Sequence, residues 1–456
     1  MSSSTPLEVI MDKTIAAVAT AHGVGSIAIV RVSGSKALEI AQALTKTSTI
    51  KPRFAHLLTL LTQQEEILDE AIVLYFQGPK SFTGEDVIEF QCHGGIIVAS
   101  RVLDEVLKLG ATLAEAGEFS KRAFLNGRID LTQAEAIAGL IDAKSEDAAR
   151  ILAKQMKGDL KAFVEDVRDQ LLELIAYSEV TIDYAEEDLP QDMIDQMSER
   201  LGRIRKILLD TVVASRQRMV LIEGYKVAII GRPNVGKSSL LNALLRFDRA
   251  IVSDIAGTTR DTIEESIKIG THLIRIIDTA GIRESSDVIE KIGIEKSFEA
   301  VQEADIIIAL FDGSQELQED DTKILDLLPT LEDKKVISVV NKIDLASKID
   351  DKALEHFAPI RLSCKDSTQS LIDAMQKVMD HHTQSHDHTL ISKRQIIAVE
   401  SASAEIQEAL IPLASQELEF FSFHLNAAIE AIASITRPME YDQMLDKMFG
   451  NFCLGK

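Results

Sequence analysis

The chain has no tryptophan, and its only three cysteines, Cys92, Cys364 and Cys453, are widely separated. An odd number of cysteines without Cys-x-x-Cys spacing argues against a disulfide framework and against a cysteine-based zinc site. No apolar run approaches the roughly 18 residues that a membrane span needs, and the N-terminus does not resemble a signal peptide. We therefore expect a cytoplasmic protein that does not associate with membranes.

Basic residues are also in short supply. The 49 Lys and Arg residues face 72 Asp and Glu residues, so the net charge is -23. Non-specific binding of nucleic acid rests mostly on neutralising phosphates, and a strongly acidic chain repels polyanions at long range. Any work on nucleic acid would therefore need a local basic patch or a basic partner.

The spacing of apolar residues changes along the chain. Residues 8–125 alternate short apolar runs with turns, which is typical of an α+β domain. Residues 130–219 contain almost no Gly or Pro and repeat apolar residues every three or four positions, which predicts long amphipathic helices interrupted at Pro190. In the first segment we predict strands at Ile27–Val32, Ala71–Phe76 and Val87–Gln91 and a helix at Ile96–Leu109.

From Tyr225 onward, strands alternate with segments of helix length, which predicts a doubly wound, mostly parallel sheet. The predicted strands are Lys226–Ile230, His272–Ile277, Asp305–Phe311, Val336–Val340 and Ile360–Leu362. The histidine-rich residues 381–388 are interpreted as a linker, since their spacing fits no metal-ligand pattern. From Ser392 to Phe452 the chain is again helical in pattern. We expect four segments, with the third inserted into one helical domain formed by the second and fourth: 1–125, 126–220, 221–382 and 383–456.

A phosphate-binding loop is predicted at Gly231–Ser238, which fits G-x-x-x-x-G-K-[ST] between a predicted strand and an amphipathic helix. Its glycines let backbone N–H groups turn toward the phosphates, and the helix N-terminus adds positive potential. Lys237 would reach the outer phosphates and Ser238 would ligate magnesium. The residues expected around the phosphates are Asn234, Val235, Gly236, Lys237, Ser238 and Ser239.

Two further segments fit the γ-phosphate side of such a site. The sequence Asp-Thr-Ala-Gly follows an apolar strand, so that Asp278 would hold magnesium through water and Gly281 would offer its N–H group. Between this motif and the phosphate loop lies GTTRD at 257–261, where a threonine can complete the magnesium shell. The candidates in these segments are Thr258, Thr259, Asp278, Thr279, Ala280 and Gly281.

The base is predicted to be guanine. A phosphate loop alone would also fit an ATPase. However, Asn341-Lys342-Ile-Asp344 follows another predicted strand, and the acceptor-only carboxylate of Asp344 matches the two N–H donors of guanine. Ser363-Cys364-Lys365 follows the next strand, where backbone N–H groups can donate to the guanine oxygen.

The group that assists hydrolysis is less evident. Ile282 stands where many small GTPases place a water-orienting glutamine, so the catalytic group must come from elsewhere. Acids nearby are Glu284, Asp287 and Glu290, and the arginine candidates are Arg260 and Arg283. The side-chain oxygen of Asn234 could hold a monovalent cation beside the phosphates, which would replace an arginine. Alternatively, Asn234 simply favours the loop conformation.

Several segments together resemble the MnmE (TrmE) family of tRNA-modifying GTPases over essentially the whole chain. They are GRPNVGKSS, DIAGTTRD, DTAGIRES, GEDVIEFQCHGG, GEFSKRAFLNGRIDLTQAEAIAGLIDA and the C-terminal FCLGK. The GTPase motifs alone would also fit the Era and Der families. The N-terminal segments and the Cys-x-Gly-Lys terminus are specific to the MnmE family.

The resemblance implies an N-terminal folate-binding domain that also forms a homodimer, a discontinuous helical domain and an inserted GTPase domain. It implies activation by potassium, with magnesium held by Ser238 and Thr259 and with Glu290 near the attacking water. The potassium contacts carried over from the family are Asn234, Ser253, Ile255 and Thr258.

The implied reaction is shared with the FAD protein MnmG (GidA), in a heterotetramer that acts on tRNA. It installs an aminomethyl or carboxymethylaminomethyl group on carbon 5 of the wobble uridine, with 5-formyl- or methylene-tetrahydrofolate as the one-carbon source. The folate contacts carried over are Arg31, Glu89, Arg128 and Lys456, and Cys453 is either reactive or a small packing residue. The alternatives are a GTP-gated assembly or ribosome-maturation factor and a stand-alone folate-dependent transferase.

Overall fold

The computed structural model describes residues 13–183, 191–247, 265–277, 300–331, 334–380, 388–437, 448–450, 452 and 455. The chain divides into two compact units. Unit 1 comprises residues 1–138, 156–169 and 429–456, and unit 2 comprises residues 139–155 and 170–428. The predicted four-segment division is not tested by this partition and stays a prediction. Among the described residues, no helix has the length and apolar character of a membrane span.

Unit 1 contains a six-stranded sheet in the order β3-β4-β5-β2-β1-β6, antiparallel except between β1 and β6. Its helices are α1 (Ala37–Thr45), α2 (Ile96–Lys108) and α3 (Glu118–Leu125). The strands predicted near residues 27, 71 and 87 and the helix near residue 96 are confirmed. The strands are β1 (Ile15–Val18), β2 (Ile27–Ser33), β3 (His56–Leu61), β4 (Ile67–Phe76), β5 (Val87–His93) and β6 (Thr112–Leu113).

The two faces of this sheet differ, because side chains alternate along each strand. Val30 and Val32 of β2 lie in a buried cluster with residues of α1 and α2. Ile29 and Arg31 point to the other face and are only partly buried. A strand pattern of this kind leaves one face of the sheet for polar side chains.

Residues near the C-terminus pack into unit 1. The ring of Phe449 lies 6.3 Å from that of Phe124 and 5.1 Å from that of Phe452, measured between centroids. A Cβ atom on Gly455, whose φ is +88°, would approach the carbonyl oxygen of Val18 to 2.5 Å. Glycine at this position therefore lets the chain end lie directly against β1.

The predicted helical segments are confirmed where they are described. The N-terminal set is α4 (Leu131–Asp142), α5 (Glu146–Met156), α6 (Asp159–Asp183) and α7 (Gln191–Glu223), and Pro190 lies between the last two. The C-terminal set is α12 (Lys393–Ala414) and α13 (Leu418–Ala433). Within unit 2, Arg216 of α7 donates to Glu400 of α12 at 2.6 Å, and Leu390 N donates to Ser215 Oγ at 2.8 Å. The C-terminal helices thus pack on the earlier ones, as predicted.

The sheet of unit 2 has the order β12-β11-β10-β7-β9-β8 and is parallel except for β8, which runs antiparallel to β9. Separate buried clusters cover its two faces, so the predicted doubly wound, mostly parallel sheet is confirmed. Strand β8 was not predicted. The elements are β7 (Tyr225–Ile230), α8 (Lys237–Phe247), β8 (Glu265–Ile269), β9 (His272–Ile276), β10 (Ile306–Asp312), α9 (Glu319–Leu327), β11 (Lys335–Asn341), α10 (Asp351–Leu354), β12 (Ile360–Arg361) and α11 (Gln369–Asp380).

The turn of the β8–β9 hairpin is anchored to helix α5. Thr271 Oγ1 donates to Asp147 Oδ2 at 2.8 Å. The buried ring of His272 has Nε2 at 2.9 Å from Asp380 Oδ1, and its Nδ1 lies 3.3 Å from Asp147 Oδ2 without hydrogen-bond geometry. One carboxylate of α5 therefore contacts two consecutive residues of the hairpin.

Candidate guanine-nucleotide site

The predicted phosphate loop joins β7 to α8 and has a backbone that demands specific residues. Asn234 has a φ of +62° and Gly236 a φ of +108°. A Cβ atom on Gly231 would lie 2.6 Å from the carbonyl oxygen of Leu310, and one on Gly236 would collide with Nδ2 of Asn341. The left-handed region is accessible to glycine and tolerated by asparagine, so these residues permit a loop that most side chains would prevent.

Lys237 and the start of α8 place positive charge at this loop. The ammonium group of Lys237 donates to the carbonyl oxygens of Gly231 at 2.5 Å and Arg232 at 3.1 Å, so it lies across the loop. Ser238 and Ser239 are exposed in the first helical turn, whereas Val235 is fully buried and anchors the loop. Unpaired N–H groups at a helix N-terminus attract phosphate oxygens.

Asn341 connects the phosphate loop to the loop predicted to hold the base. Its side chain is buried, Nδ2 donates to Val235 O at 2.9 Å, and Oδ1 accepts from Cys364 N at 3.1 Å. The two loops follow β7 and β12, which do not pair with each other. Asn341 therefore supports the site from within, a role that the motif alone did not specify.

Lys342 braces the same loop through a buried carboxylate that the sequence did not single out. Its ammonium group donates to Asn234 O at 2.8 Å and to Asp312 Oδ2 at 2.7 Å. Burial raises the pKa of Asp312, but hydrogen bonds from Lys342 and Ser314 outweigh it, so that the net pKa is lowered. Arg232 lies 3.8 Å from the same carboxylate. In the sequence, Asp312 is recognisable only as the single acidic residue at the end of the otherwise apolar strand β10.

The predicted base loop is ordered by its own hydrogen bonds. Ser363 is buried, its hydroxyl accepts from Lys365 N at 3.3 Å, and its carbonyl accepts from Asp366 N at 3.0 Å. The Lys365 ammonium group lies 3.7 Å from Asp344, whose side chain is 25% exposed. Burial, followed by the charge of Asp344, raises the pKa of the Cys364 thiol to about 11. The N–H groups of Cys364, Lys365 and Asp366 are thus engaged within the protein, whereas the Asp344 carboxylate is accessible and, as an acceptor, suits the N–H donors of guanine.

Several predicted site residues lie outside the described residues, and their placement stays a prediction. They are Ser253, Ile255, Thr258, Thr259, Asp278, Thr279, Ala280, Gly281, Glu290, Cys453 and Lys456.

Two of the predicted folate contacts pair in unit 1. Arg31 on β2 and Glu89 on β5 are register partners, and Arg31 Nε donates to Glu89 Oε1 at 2.9 Å. Arg31 also donates to Gly455 O at 3.2 Å and lies over the ring of Phe119, 5.6 Å from its centroid. The two side chains are 20% and 15% exposed. A partly buried ion pair therefore adjoins the backbone at Gly455.

Arg128, the third described folate candidate, has a different environment. Its Nε donates to Ser81 O at 3.0 Å, and its side chain packs near Gly84. The neighbouring Arg122 is fully buried and pairs with Glu85 at 3.1 Å. No contact found among the described residues joins Arg128 to the pair on β2 and β5. The structure thus groups Arg128 with the loop that follows β4.

The arrangement in unit 2 defines a class of protein. A glycine loop between a buried strand and a helix, a lysine across that loop, and an accessible aspartate after a neighbouring strand are the features of a P-loop domain that binds a guanine nucleotide.

Comparison with known proteins gives the family. A model of the MnmE helical domain matches residues 131–453, and a model described as the GTP-binding protein TrmE N-terminus matches residues 14–128. The tRNA modification GTPase MnmE of Aliarcobacter butzleri is 58% identical over 97% of this chain and 99% of its own length. That of Sulfurimonas denitrificans is 58% identical over 98% of this chain and 100% of its own length. The chain therefore belongs to the MnmE family of tRNA modification GTPases and is a GTP hydrolase.

Among solved structures, a complex of Era with MgGDPNP and 16S ribosomal RNA nucleotides is 26% identical. It covers 40% of this chain and 66% of that chain with a TM-score of 0.26, which adds nothing to the assignment.

Proposed function

We propose that this chain is a potassium-activated GTPase that modifies the wobble uridine of tRNA together with MnmG. The observation that carries the proposal is the tie made by Asn341 between the phosphate loop and the base loop. It belongs to a chain whose full-length relatives are named tRNA modification GTPases. The added group would be aminomethyl or carboxymethylaminomethyl, and the one-carbon donor 5-formyl- or methylene-tetrahydrofolate.

The cation roles rest on the residues of the phosphate loop. Magnesium would be held by Ser238 and Thr259, and potassium by Asn234, Ser253, Ile255 and Thr258. The backbone oxygen of Asn234 already accepts from Lys342, whereas its exposed side chain makes no hydrogen bond within the described part of the chain. Its amide oxygen therefore fits a potassium ion. The left-handed backbone of Asn234 fits the simpler conformational role equally well.

Charge that develops on the phosphates would be stabilised by Lys237 and by the potassium ion. Glu290 would act near the attacking water, in place of the glutamine that Ile282 replaces. We propose that GTP binding brings two such domains of a homodimer together and that hydrolysis releases them.

In unit 1 the Arg31–Glu89 pair supports the folate proposal. A carboxylate can accept the adjacent N–H donors of a pterin ring, and an arginine beside it would hold that carboxylate ionised and in place. Lys456 and Arg128 complete the proposed contacts. The chain would form a heterotetramer with MnmG in the cytoplasm, and MnmG would supply much of the tRNA contact.

The first test is GTP turnover in potassium and in sodium at matched ionic strength, with the wild type, Asn234→Ala and Asn234→Gly. Glycine adopts a φ near +62° without strain, so it keeps the loop shape and removes only the amide. We expect stimulation by potassium in the wild type and its loss in both variants. Stimulation that survives in Asn234→Gly would assign Asn234 to loop conformation alone.

The modification is tested by reconstitution of the full chain with MnmG, the folate, GTP and undermodified tRNA. We expect product only when both proteins are present. Product without MnmG would favour the stand-alone transferase. Unchanged wobble uridines in cells that lack this protein would favour a GTP-gated assembly factor.

A further inference from the structure

The negative charge of this protein is not spread evenly along the chain. Acidic residues number 72 in 456, or about one in six, yet residues 13–64 contain only one, Glu39, together with six Lys and Arg. Residues 71–84 contain no acid and one lysine, Lys80. These two segments, which flank the acidic residues 65–70, therefore lack the acidic side chains that the composition would suggest.

The fold brings part of these two segments together at one end of the sheet. The backbone N–H of Arg53, just before edge strand β3, donates to Tyr75 O at 2.8 Å. Its guanidinium group donates to Lys80 O at 2.5 Å and lies 5.9 Å from the centroid of the Phe76 ring. We call the surface formed here the Arg53 corner: Lys51, Arg53, Phe54, Lys80 and Phe82.

The lysines of the Arg53 corner form no ion pair within the described ranges, and Asp86, an acid in the loop after β4, has its Oδ1 engaged by Gly78 N at 2.9 Å. Lys51 and Lys80 are exposed, and neither ammonium group has an acidic partner in the described ranges. The acids of the β3–β4 hairpin, Glu65, Glu66, Asp69 and Glu70, follow β3 or lie at the beginning of β4, at the opposite end of this strand pair. The hairpin thus separates positive from negative charge along its length.

An unfavourable backbone conformation is maintained at the centre of the corner. Arg53 has a φ of +60°, in the left-handed region that residues with a side chain rarely adopt. It immediately precedes Phe54, a residue that is 57% exposed and whose ring contacts that of His56 edge-on, with 4.9 Å between the centroids. Phe82 is 38% exposed. Exposed rings next to basic side chains are the combination with which proteins bind unpaired nucleotides.

We propose that the Arg53 corner is an RNA-binding surface, at which Lys51, Arg53 and Lys80 contact phosphates and Phe54 stacks on an unpaired base. This inference rests on the proposed role in tRNA modification. Turns and an edge strand form the corner, not the amphipathic helix with which peripheral proteins lie on membranes. Because the rest of the chain repels RNA, a local cationic surface would also orient the tRNA as it approaches.

The test measures binding of a tRNA transcript to the full-length protein between 50 and 300 mM potassium chloride. The test variant is Lys51→Ala with Lys80→Ala. The matched control is Lys206→Ala with Lys377→Ala, two exposed lysines of unit 2 whose removal changes the net charge equally. Each lost phosphate contact lowers the slope of log affinity against log salt by about 0.7. We expect the test variant to lose about 1.4 from that slope and the control to keep it.

A second pair of variants isolates stacking. Phe54→Ala should bind the transcript about tenfold more weakly, whereas Phe54→Tyr should retain the wild-type affinity, because tyrosine preserves the aromatic face. GTP turnover, which depends on unit 2, should be unchanged in all variants.

Equal slopes in the two lysine variants, or a wild type without salt-dependent tRNA binding, would overturn the proposal. So would a Lys51/Lys80 variant that loses binding to phosphatidylserine vesicles but retains tRNA binding, since that result assigns the corner to membranes. The proposed function can fail independently of the RNA-binding surface. A wild-type protein that binds tRNA here but gives no product with MnmG would overturn the function and leave the RNA surface standing.

Discussion

In unit 2 the polar residues of the site follow the carboxyl ends of parallel strands, whereas in unit 1 they stand on one face of antiparallel strands. Strands β7, β10, β11 and β12 end in the phosphate loop, Asp312, Asn341 and the base loop, respectively. By contrast, the Arg31–Glu89 pair crosses neighbouring strands and is completed by a carbonyl 424 residues away, at Gly455. Parallel strands gather loops at one edge. Antiparallel strands place side chains together on one face of the sheet. A segment distant in sequence, here the one that contains Gly455, then packs over these side chains.

The two sites also depend on different forces. The unit 2 site needs backbone conformations that few residues adopt, at Asn234 and Gly236. The unit 1 pair depends on charge and on the docking of the chain end. Substitutions should therefore impair one site without the other. Changes that alter backbone conformation should act most strongly in unit 2, and changes of charge should act most strongly in unit 1.

The largest effect is expected for Gly236→Ala. The added Cβ atom would lie 2.3 Å from Asn341 Nδ2, and alanine is strained at the φ of +108° that Gly236 adopts. The loop must therefore rearrange. We expect GTP affinity to fall more than about 100-fold, because the phosphate cradle and the Asn341 tie are lost together. The control is Gly202→Ala on helix α7, where the Cβ atom meets nothing within 4 Å. It should leave GTP binding intact and stabilise the protein by about 1 kcal/mol. Wild-type binding by Gly236→Ala would contradict the observed loop.

A smaller effect, confined to unit 1, is expected for Arg31→Ala. It leaves Glu89 unpaired and removes the donor to Gly455 O, which should cost about 1–3 kcal/mol of unfolding free energy. Affinity for the proposed folate ligand, measured by calorimetry, should fall at least about tenfold, while GTP turnover should stay within about twofold. A matching loss of GTP turnover would show that the two sites do not separate.

The stability of unit 2 should depend on the buried Asp147 carboxylate that anchors the β8–β9 hairpin, but not on the exposed Glu146 carboxylate beside it. Asp147→Ala removes the acceptor of Thr271 and the carboxylate beside His272, so we expect a loss of about 1–3 kcal/mol in thermal or denaturant unfolding. The adjacent Glu146→Gln disrupts only the exposed 3.4 Å pair with Lys268 and should change stability by less than about 0.5 kcal/mol. Equal effects would argue against Asp147 as the anchor.

The smallest effect concerns the thiol of the base loop. A pKa of about 11 leaves Cys364 mostly protonated at pH 8, and the thiolate fraction rises about tenfold per pH unit up to that value. Alkylation of Cys364 in a Cys453→Ser protein should therefore be slow at pH 8 and accelerate through pH 10. Bound GTP should slow it further. A rate that levels off near pH 8.5 would indicate an ordinary exposed thiol.

The unit 2 site could be predicted from the sequence more completely than the unit 1 pair. The phosphate loop and the base loop are short contiguous motifs, so their residues could be named before the fold was known. Asp312 was not named, because an acid at the end of an apolar strand gains a role only when the parallel register places it beside Asn341. Likewise, strands β1 and β3 were not predicted, and nothing local in Arg31 indicates that it reaches Gly455.

The anchored β8–β9 hairpin has a thermodynamic consequence. In the chain it lies between the segment that contains Thr258 and Thr259 and the one that begins with Asp278, and its turn contacts Asp147 of helix α5. Linkage between two binding sites is reciprocal, so a ligand of helix α5 that changes GTP affinity by some factor must have its own affinity changed by the same factor when GTP binds. A partner protein bound to helix α5 could thus act on GTP affinity through the β8–β9 hairpin, without contacting the nucleotide.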